Sequence, residues 1–398
     1  MSESPADSTL GTKNAIPEIP IEIVSEEEMA LIDAALAATR CSLLSSVSSH
    51  FHRNARSIQS ITLVSKRRLL GCNRPDIEDF GNLGMTHKKN KVAESYLERF
   101  RKKGGLCATD ITGAEWCEKQ MEFTLLFGKK GANKWMKVGR ARHEELEKEV
   151  TRKVKLRVKS IEDKWAVKLI NSINGTNQLF FEGVTRELPI LSFIEGVWVV
   201  GVIDEIQMPL NETDRNPILV DIKTRVRDTL PDEAQRRNGR LQLMCYKYMW
   251  DNLAADNFPS TQFYDFFSLD RDYVLSEDII EITANAGFPA KTLDDIVRYY
   301  RHTWNMLPPA HNELLLRYEF QKDQSLIGEE EFVYDYTWFK SRIQGCLEFW
   351  KGEREANFTP VEERWKCRYC QFSSVCPANF KPESTRSSSQ ADSYSTPS

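Results

Sequence analysis

No stretch of this 398-residue chain approaches the roughly 18 uncharged apolar residues that a membrane-crossing helix needs, so no such helix and no membrane partner are expected. Internal repeats are absent, which argues against solenoid and propeller architectures. Residues 1 to 28 are acidic and polar and do not read as a secretory or transit peptide. Without one, the nine cysteines are not expected to form disulfides, because the cytosol, nucleus and mitochondrial matrix are reducing. An excess of one charge is also lacking, since 54 Lys and Arg stand against 58 Asp and Glu. That balance hides local asymmetry. Residues 34 to 75 carry seven basic side chains and no acid, and residues 137 to 159 carry nine basic against four acidic, so a polyanionic partner stays open.

With 41% hydrophobic and 28% charged residues, the chain has the composition of a soluble globular protein with ample material for a core. Its organising stretch is Gly201 to Arg225. Two Val- and Ile-rich runs, Val197 to Ile206 and Ile218 to Ile222, flank a polar segment and predict a hairpin. Each run carries a carboxylate where an apolar residue belongs, Asp204 and Asp221, and Lys223 follows two positions later. Alternation along a strand puts Asp221 and Lys223 on one face and turns Ile222 into the core. An unpaired Asp among apolar residues is costly unless a cation or donor meets it. Two carboxylates and the Ile222 carbonyl suit a hard cation, Mg²⁺ or Mn²⁺, of the kind that neutralises phosphoryl oxygens and acidifies water. Lys223 would hold the attacking water or stabilise the pentavalent phosphorus. A solvated surface hairpin with Lys223 paired to one Asp is the plainer reading. The D-x(10–20)-[D/E]-x-K arrangement resembles the PD-(D/E)xK nuclease core, which implies phosphodiester hydrolysis.

Three cysteines cluster as Cys367-x2-Cys370-x5-Cys376-Pro377, a thiolate spacing that chelates metal and leaves one ligand to find. A four-thiolate zinc site and a 4Fe-4S cluster both fit, and the x2 and x5 gaps followed by Pro are closer to iron–sulfur proteins than to zinc fingers. Cys117, before the carboxylate motif, and Cys107 compete for the fourth place. One thiolate from before that core and three from after it would staple the two ends of a domain together.

Taken in order, TDITGAEWCEKQ, GRARHEELE, TRELPI, GVIDEI, LVDIKTR, LQLMCYKYMW and CRYCQFSSVC resemble the eukaryotic exonuclease V family, iron–sulfur nucleases of the RecB/AddB type, over about residues 91 to 378. The resemblance implies that His143, Glu187, Asp204 and Asp221 surround the metals, that Lys223 is catalytic, and that Gln242 and Tyr246 line the site. It implies a 4Fe-4S cluster on Cys117, Cys367, Cys370 and Cys376. It further implies degradation of single-stranded DNA from an end, releasing short oligonucleotides, with a helicase or single-strand-binding protein as fitting partners. Asp221 stands where Glu is common in the superfamily, which keeps the carboxylate. Arg140, Arg142, Arg225, Arg236, Arg237 and Arg240 are candidate walls of a single-strand channel, with Trp116 and Tyr246 as stacking platforms.

The expected fold is an α/β, restriction-endonuclease-like core, a small mixed sheet flanked by helices, in a monomer with a four-cysteine iron–sulfur staple. Expected domains are a flexible extension over 1–90, a nuclease domain over 91–380 and a Ser-rich tail over 381–398. Helices are expected near Glu26 to Ala38, before and after a Thr109-Asp110 cap, over Gly139 to Arg152 and over Asp232 to Asn252. A strand is expected over Gln262 to Leu269, and residues 271 to 355 read as mostly helical. A start at Met29 would expose a Ser- and Arg-rich, acid-poor segment like mitochondrial presequences, although a basic arm or a linker reads equally well. Mitochondrion and nucleus are the expected compartments. Two other functions remain: a zinc-stabilised, non-catalytic nucleic-acid-binding factor, and a nuclease of the same fold acting on RNA or structured DNA.

Overall fold

The computed structural model describes residues 21–24, 94–102, 104–128, 134–150, 152–209 and 215–379. The helix expected near Glu26 to Ala38, the basic stretch 34–75 and the Ser-rich tail lie outside them.

The fold is mixed α/β, a six-stranded sheet flanked by helices. Its centre is β5 (Val197–Gln207), in which every residue but the last is buried. A strand covered on both faces needs this continuous, β-branched run rather than alternation. Along one edge β5 pairs antiparallel with β4 (Val184–Ile194) over its full length. The turn between them is Glu195-Gly196, with φ of 49° and 79°, the two left-handed residues of a tight hairpin whose twist matches its strands. Along its other edge β5 divides its partners. Its first half pairs parallel with the two-residue β2 (Leu106–Cys107). Its last three residues pair antiparallel with β6 (Ile218–Arg225). Beyond β6 come β7 (Glu313–Phe320), parallel, and β8 (Leu326–Val333), antiparallel, at the edge. A separate parallel pair joins β1 (Ile21–Val24) to β3 (Arg152–Lys155).

The hairpin expected from Val197 to Ile206 and Ile218 to Ile222 is present as β5–β6, antiparallel at three positions, with a tighter hairpin, β4–β5, before it. Three other expectations are corrected. Residues 262–269 fall in a helix, α7 (Ser260–Phe267), not a strand. Phe263, Tyr264 and Phe267 are buried at helical spacing, and Phe263 and Phe267 pack against Trp165 and Trp198, so aromatic residues that favour strands serve a helix face. Residues 271–355 contain the β7–β8 hairpin, whose Glu329, Glu330 and Glu331 sit on the edge strand. The cap of the second helix is Cys107, not Thr109-Asp110: α1 (Tyr96–Arg101) is followed by β2 and then α2 (Ala108–Trp116), whose Asp110 accepts the Cys107 N–H at 2.9 Å and Arg101 Nε at 2.6 Å.

Helix α5 (Ile161–Glu182) starts at Ser160, whose hydroxyl accepts the Asp163 N–H, and buries an apolar face against β4. Across it α9 (Leu293–Asn305) anchors through Tyr300, which donates to Leu191 O at 2.9 Å. Helix α6 (Glu233–Ala254) brings Trp250 edge-on to Trp304, centroids 4.8 Å apart. Helices α8 (Glu277–Asn285) and α10 (Tyr336–Lys351) complete the flanks. Among the described residues no helix is long and apolar enough to cross a membrane.

The chain closes on itself where α3 (Glu118–Phe127) meets the segment after α10. Both Glu118 oxygens receive Arg354 at 2.6 Å, and Glu118 Oε2 also accepts the Asn357 N–H at 2.7 Å. With Glu118 nearly buried, its removal leaves Arg354 with Glu348 as its remaining carboxylate partner and takes the acceptor from the Asn357 N–H. Glu118→Ala is expected to cost about 3 kcal/mol, read as a lower urea midpoint with an unchanged slope.

Candidate active site

Where β5 and β6 stop pairing, a carboxylate replaces the backbone. The ladder runs from Gln207↔Ile218 to Glu205↔Val220 and ends there. At the next step the Ile222 N–H donates to Asp204 Oδ2 at 2.8 Å. Because a strand residue's N–H and C=O point toward the same neighbouring strand, the Ile222 carbonyl opens into the same gap.

Glu187 lies opposite Asp204 in the β4–β5 register, flanked by the pairs Arg186↔Glu205 and Leu188↔Ile203. Its φ of 49° is left-handed, a conformation that costs a non-glycine residue about 1–3 kcal/mol and persists only where the surroundings impose it. Like charges facing each other across two strands add to that cost. His143, on α4 (Lys134–Val150), joins the pair. Its Nδ1 lies 2.9 Å from Glu187 Oε1 and 3.9 Å from Asp204 Oδ1, and one ligand atom from each of the three residues falls within 4.8 Å of the others.

Asp221 is fully buried on the other side of the gap. Lys223 Nζ lies 2.9 and 2.8 Å from its two oxygens and donates to Gln242 Oε1 at 2.9 Å. Gln242 Nε2 donates in turn to Tyr246 OH at 3.1 Å, which fixes the amide so that its oxygen faces the ammonium. Tyr246 is itself wedged against Gly201, where an added Cβ would lie 2.5 Å from Cε1 of the ring. Sequence reasoning missed Gly201, although a glycine inside an all-buried strand is the usual mark of a close approach.

The electrostatics follow from crowding. Burial raises the Asp204 carboxyl against the pull of His143 and Lys223. Burial likewise lifts Asp221 to about 6, with Lys223 opposing and Asp204 reinforcing. Burial alone would lower His143, but the Asp204 charge and the Glu187 hydrogen bond prevail and hold it at about 10. Lys223 is held above its ordinary value, its burial outweighed by Asp221 and Asp204. Asp204 and Asp221, both raised by burial, form with the neighbouring Glu187 a hard oxygen donor set, and Mg²⁺ or Mn²⁺ fits it. Glu187, Asp204, Asp221 and the Ile222 carbonyl would hold such an ion, and His143 could join only after giving up a proton.

The six arginines divide. Arg142 pairs with Glu319 at 2.8 Å, Arg236 with Glu233 at 3.0 Å, and Arg237 with Glu115 at 3.2 Å and Glu363 at 2.8 Å. Arg240 pairs with Glu233 and Glu330. Arg225 meets the neutral Gln235 at 3.3 Å, and Arg140 Nε is buried without a hydrogen bond. Tyr246 is too deeply buried for a base to stack on it, which removes it as a platform. Trp116 packs edge-on to Trp365 beneath the Lys366 ammonium, 4.3 Å from its ring.

Cys117, in extended conformation between α2 and α3, lines one small cavity with Cys367, Cys370 and Cys376, walled by Phe123 and Phe372. Cys107 is buried in β2 and does not line it. Burial and the neighbouring thiols raise Cys367 and Cys370. Four sulfur donors around one cavity suit a soft cation, so the donor set fits an iron–sulfur cluster or zinc.

The sequence model of a family described as Exonuclease V, a 5′ deoxyribonuclease, matches residues 95–218, 209–289 and 291–377. An Exonuclease V of Danio rerio is 28% identical over 287 residues, 71% of this chain and 72% of that one. Two proteins called Exonuclease V, mitochondrial, are similar over 61 residues, 15% of this chain. Those of Candida albicans (strain WO-1) and Candida dubliniensis are 33% and 34% identical there, and the match spans 10% of their own length.

Two outcomes test the geometry. Gly201→Ala is expected to cost about 1–3 kcal/mol through overpacking and to lower kcat more than it changes KM, because Tyr246, Gln242 and Lys223 move together. The raised Asp221 value means the folded metal-free protein binds more protons than the unfolded chain, so ionised Asp221 opposes folding above about pH 6. Asp221→Asn is therefore expected to melt higher than wild type at pH 7.5 without metal, and the gap to narrow as pH falls through 6, measured by differential scanning calorimetry.

Proposed function

This chain belongs to the exonuclease V family, and from that premise we propose that it hydrolyses single-stranded DNA from its 5′ end with a divalent metal and releases short oligonucleotides. The observation that carries the reading is the convergence of Glu187, Asp204 and His143 beside the Asp221–Lys223–Gln242 chain, in a gap that a strand pair leaves open. A divalent cation held by Glu187, Asp204, Asp221 and the Ile222 carbonyl would supply positive charge against the phosphoryl oxygens and would acidify a water. The protein's own groups do the rest. Lys223, oriented by Gln242, donates to the attacking water or to an oxygen of the phosphorus as negative charge grows on it. Asp204 holds the gap open through the Ile222 N–H, and His143 fixes Glu187 in its strained conformation.

The restriction-endonuclease-like, PD-(D/E)xK label rests on the D…D-x-K spacing and on the placement of Asp204, Asp221 and Lys223 around one gap. The four thiols take a 4Fe-4S cluster whose role is structural, tying α2–α3 to the chain after α10. The nuclease domain spans about residues 91–380. Single-strand specificity is the reading we favour because helix α4 lies beside the gap, and a site flanked by a helix suits a single strand better than the wider duplex. Repair or genome maintenance is the setting, in the mitochondrion and in the nucleus. The names of the Candida relatives support the first compartment.

With Mg²⁺, 5′-labelled single-stranded DNA is expected to be cut from that end, and Lys223→Ala or Asp204→Asn to lose about 10²–10³-fold or more in kcat. Equal digestion of duplex or RNA, or activity in excess chelator, would overturn the reading. Anaerobically purified protein is expected to absorb near roughly 400 nm with about four irons per chain, lost in Cys117→Ala. One zinc and no colour would overturn the cluster.

A further inference from the structure

Four of the six arginines around the gap spend their charge on carboxylates. Arg140 and Arg225 form no ion pair among the described residues. Arg140 is half-buried, its Nε is shielded without a hydrogen bond, and burial lowers its pKa despite the nearby charge of Glu144. Arg225 Nε is equally shielded and unbonded, and its one side-chain partner is the neutral Gln235. A partly buried guanidinium with no carboxylate bonded to it keeps donors free for an anion.

Their positions are related. Helix α4 runs antiparallel to β6: Leu146 packs with Val220 and Ile222, and Gly139 lies so close to Thr224 that an added Cβ would meet its hydroxyl at 2.8 Å. The residues next in sequence to that contact, Arg140 and Arg225, therefore stand at the same end of the gap. Arg225 continues the face of β6 that carries Asp221 and Lys223, about 6.6 Å beyond Lys223 along the strand. Arg140 precedes His143 by almost one turn, about 4.5 Å along the helix axis. Helix α4 packs on the face of β6 that carries Val220, Ile222 and Thr224, and Arg225 projects from the other face toward Gln235, so each wall places one cation without an ion pair a single step beyond the reacting groups, at the same end of the gap.

We propose that Arg140 and Arg225 form a two-armed clamp on the backbone phosphates next to the scissile one, and that the bound strand runs out past the C-terminal end of β6. This rests on the nuclease reading above. Planar guanidinium groups approaching from two walls can hold a phosphate bidentately and carry no base preference.

The test is the salt dependence of binding of a fluorescein-labelled 12-nucleotide DNA strand to the full chain without divalent metal, followed by anisotropy. Arg140→Gln and Arg225→Gln are each expected to reduce the slope of log K against log salt by about 0.7, and the double variant by about 1.4. Arg140→Lys, which keeps the charge, restores the slope and separates electrostatics from misfolding. Arg142→Gln and Arg240→Gln, whose charges are already neutralised, keep the wild-type slope. An unchanged slope in Arg140→Gln and Arg225→Gln, or an equal fall in Arg142→Gln, overturns the clamp. A slope lost as expected in a protein that never cuts DNA or prefers RNA upholds the clamp and sinks the nuclease assignment instead. Failure of the wild type to bind any single strand overturns both.

Discussion

One hydrogen bond decides the shape of the site: Asp204 Oδ2 accepting the Ile222 N–H. In an uninterrupted ladder that N–H would find a main-chain carbonyl, and β5 and β6 would zip shut. A side-chain acceptor satisfies the same donor while holding the strands apart, so no buried amide is orphaned by the gap. The carbonyl of Ile222, the second Asp204 oxygen and the Asp221 carboxylate are then left facing one space. Keeping them there is unfavourable, as the left-handed Glu187 opposite Asp204 and the raised carboxyl values record. The surrounding packing bears that cost. Trp198, Phe258 and Phe263 lock β5 from one end, and Tyr246 presses on Gly201 in its middle. Residues strained where the chemistry sits, in a scaffold rigid everywhere around it, are the usual division of labour in an active site.

A second constraint acts at a distance. The chain segments before and after the sheet meet in the Glu118–Arg354 and Arg237–Glu115–Glu363 ion pairs, the Trp116–Trp365 contact and the packing of Phe123 on Phe372. These contacts set the distance between Cys117 and the three later thiols before any metal is bound. They also tie α6, which supplies Gln242, to the same closure through Arg237. A loosened closure is therefore felt at Lys223.

What could be read from the sequence was local and chemical. Asp204, Asp221 and Lys223 stood out because a charge inside a Val- and Ile-rich run needs a reason, and the x2 and x5 cysteine gaps needed a shared ligand. The continuous apolar run of β5 marked it as central. What could not be read depends on tertiary partners. The FYDFF stretch has strand propensity, and only Trp165 and Trp198 make its helical face the better buried one. The β7–β8 hairpin was hidden because Leu326 to Val333 lies at the sheet edge with little of its own to bury. No pattern announces that Glu187 takes φ of 49°, since the conformation is imposed by His143 and the strand opposite. The arginines were visible as a basic bias, but which of them remain unpaired depends on Glu319, Glu330, Glu115 and Glu363, all far away in the chain, as well as on Glu233 in the same helix as Arg236 and Arg240.

Crystals grown with Mn²⁺ and measured at its absorption edge show whether the gap between β5 and β6 holds a divalent metal. An anomalous peak is expected among Glu187, Asp204 and Asp221, with the Asp204–Ile222 hydrogen bond kept and the peak absent in Asp204→Asn. An empty gap, with Mn²⁺ bound elsewhere or nowhere, would contradict a metal site there.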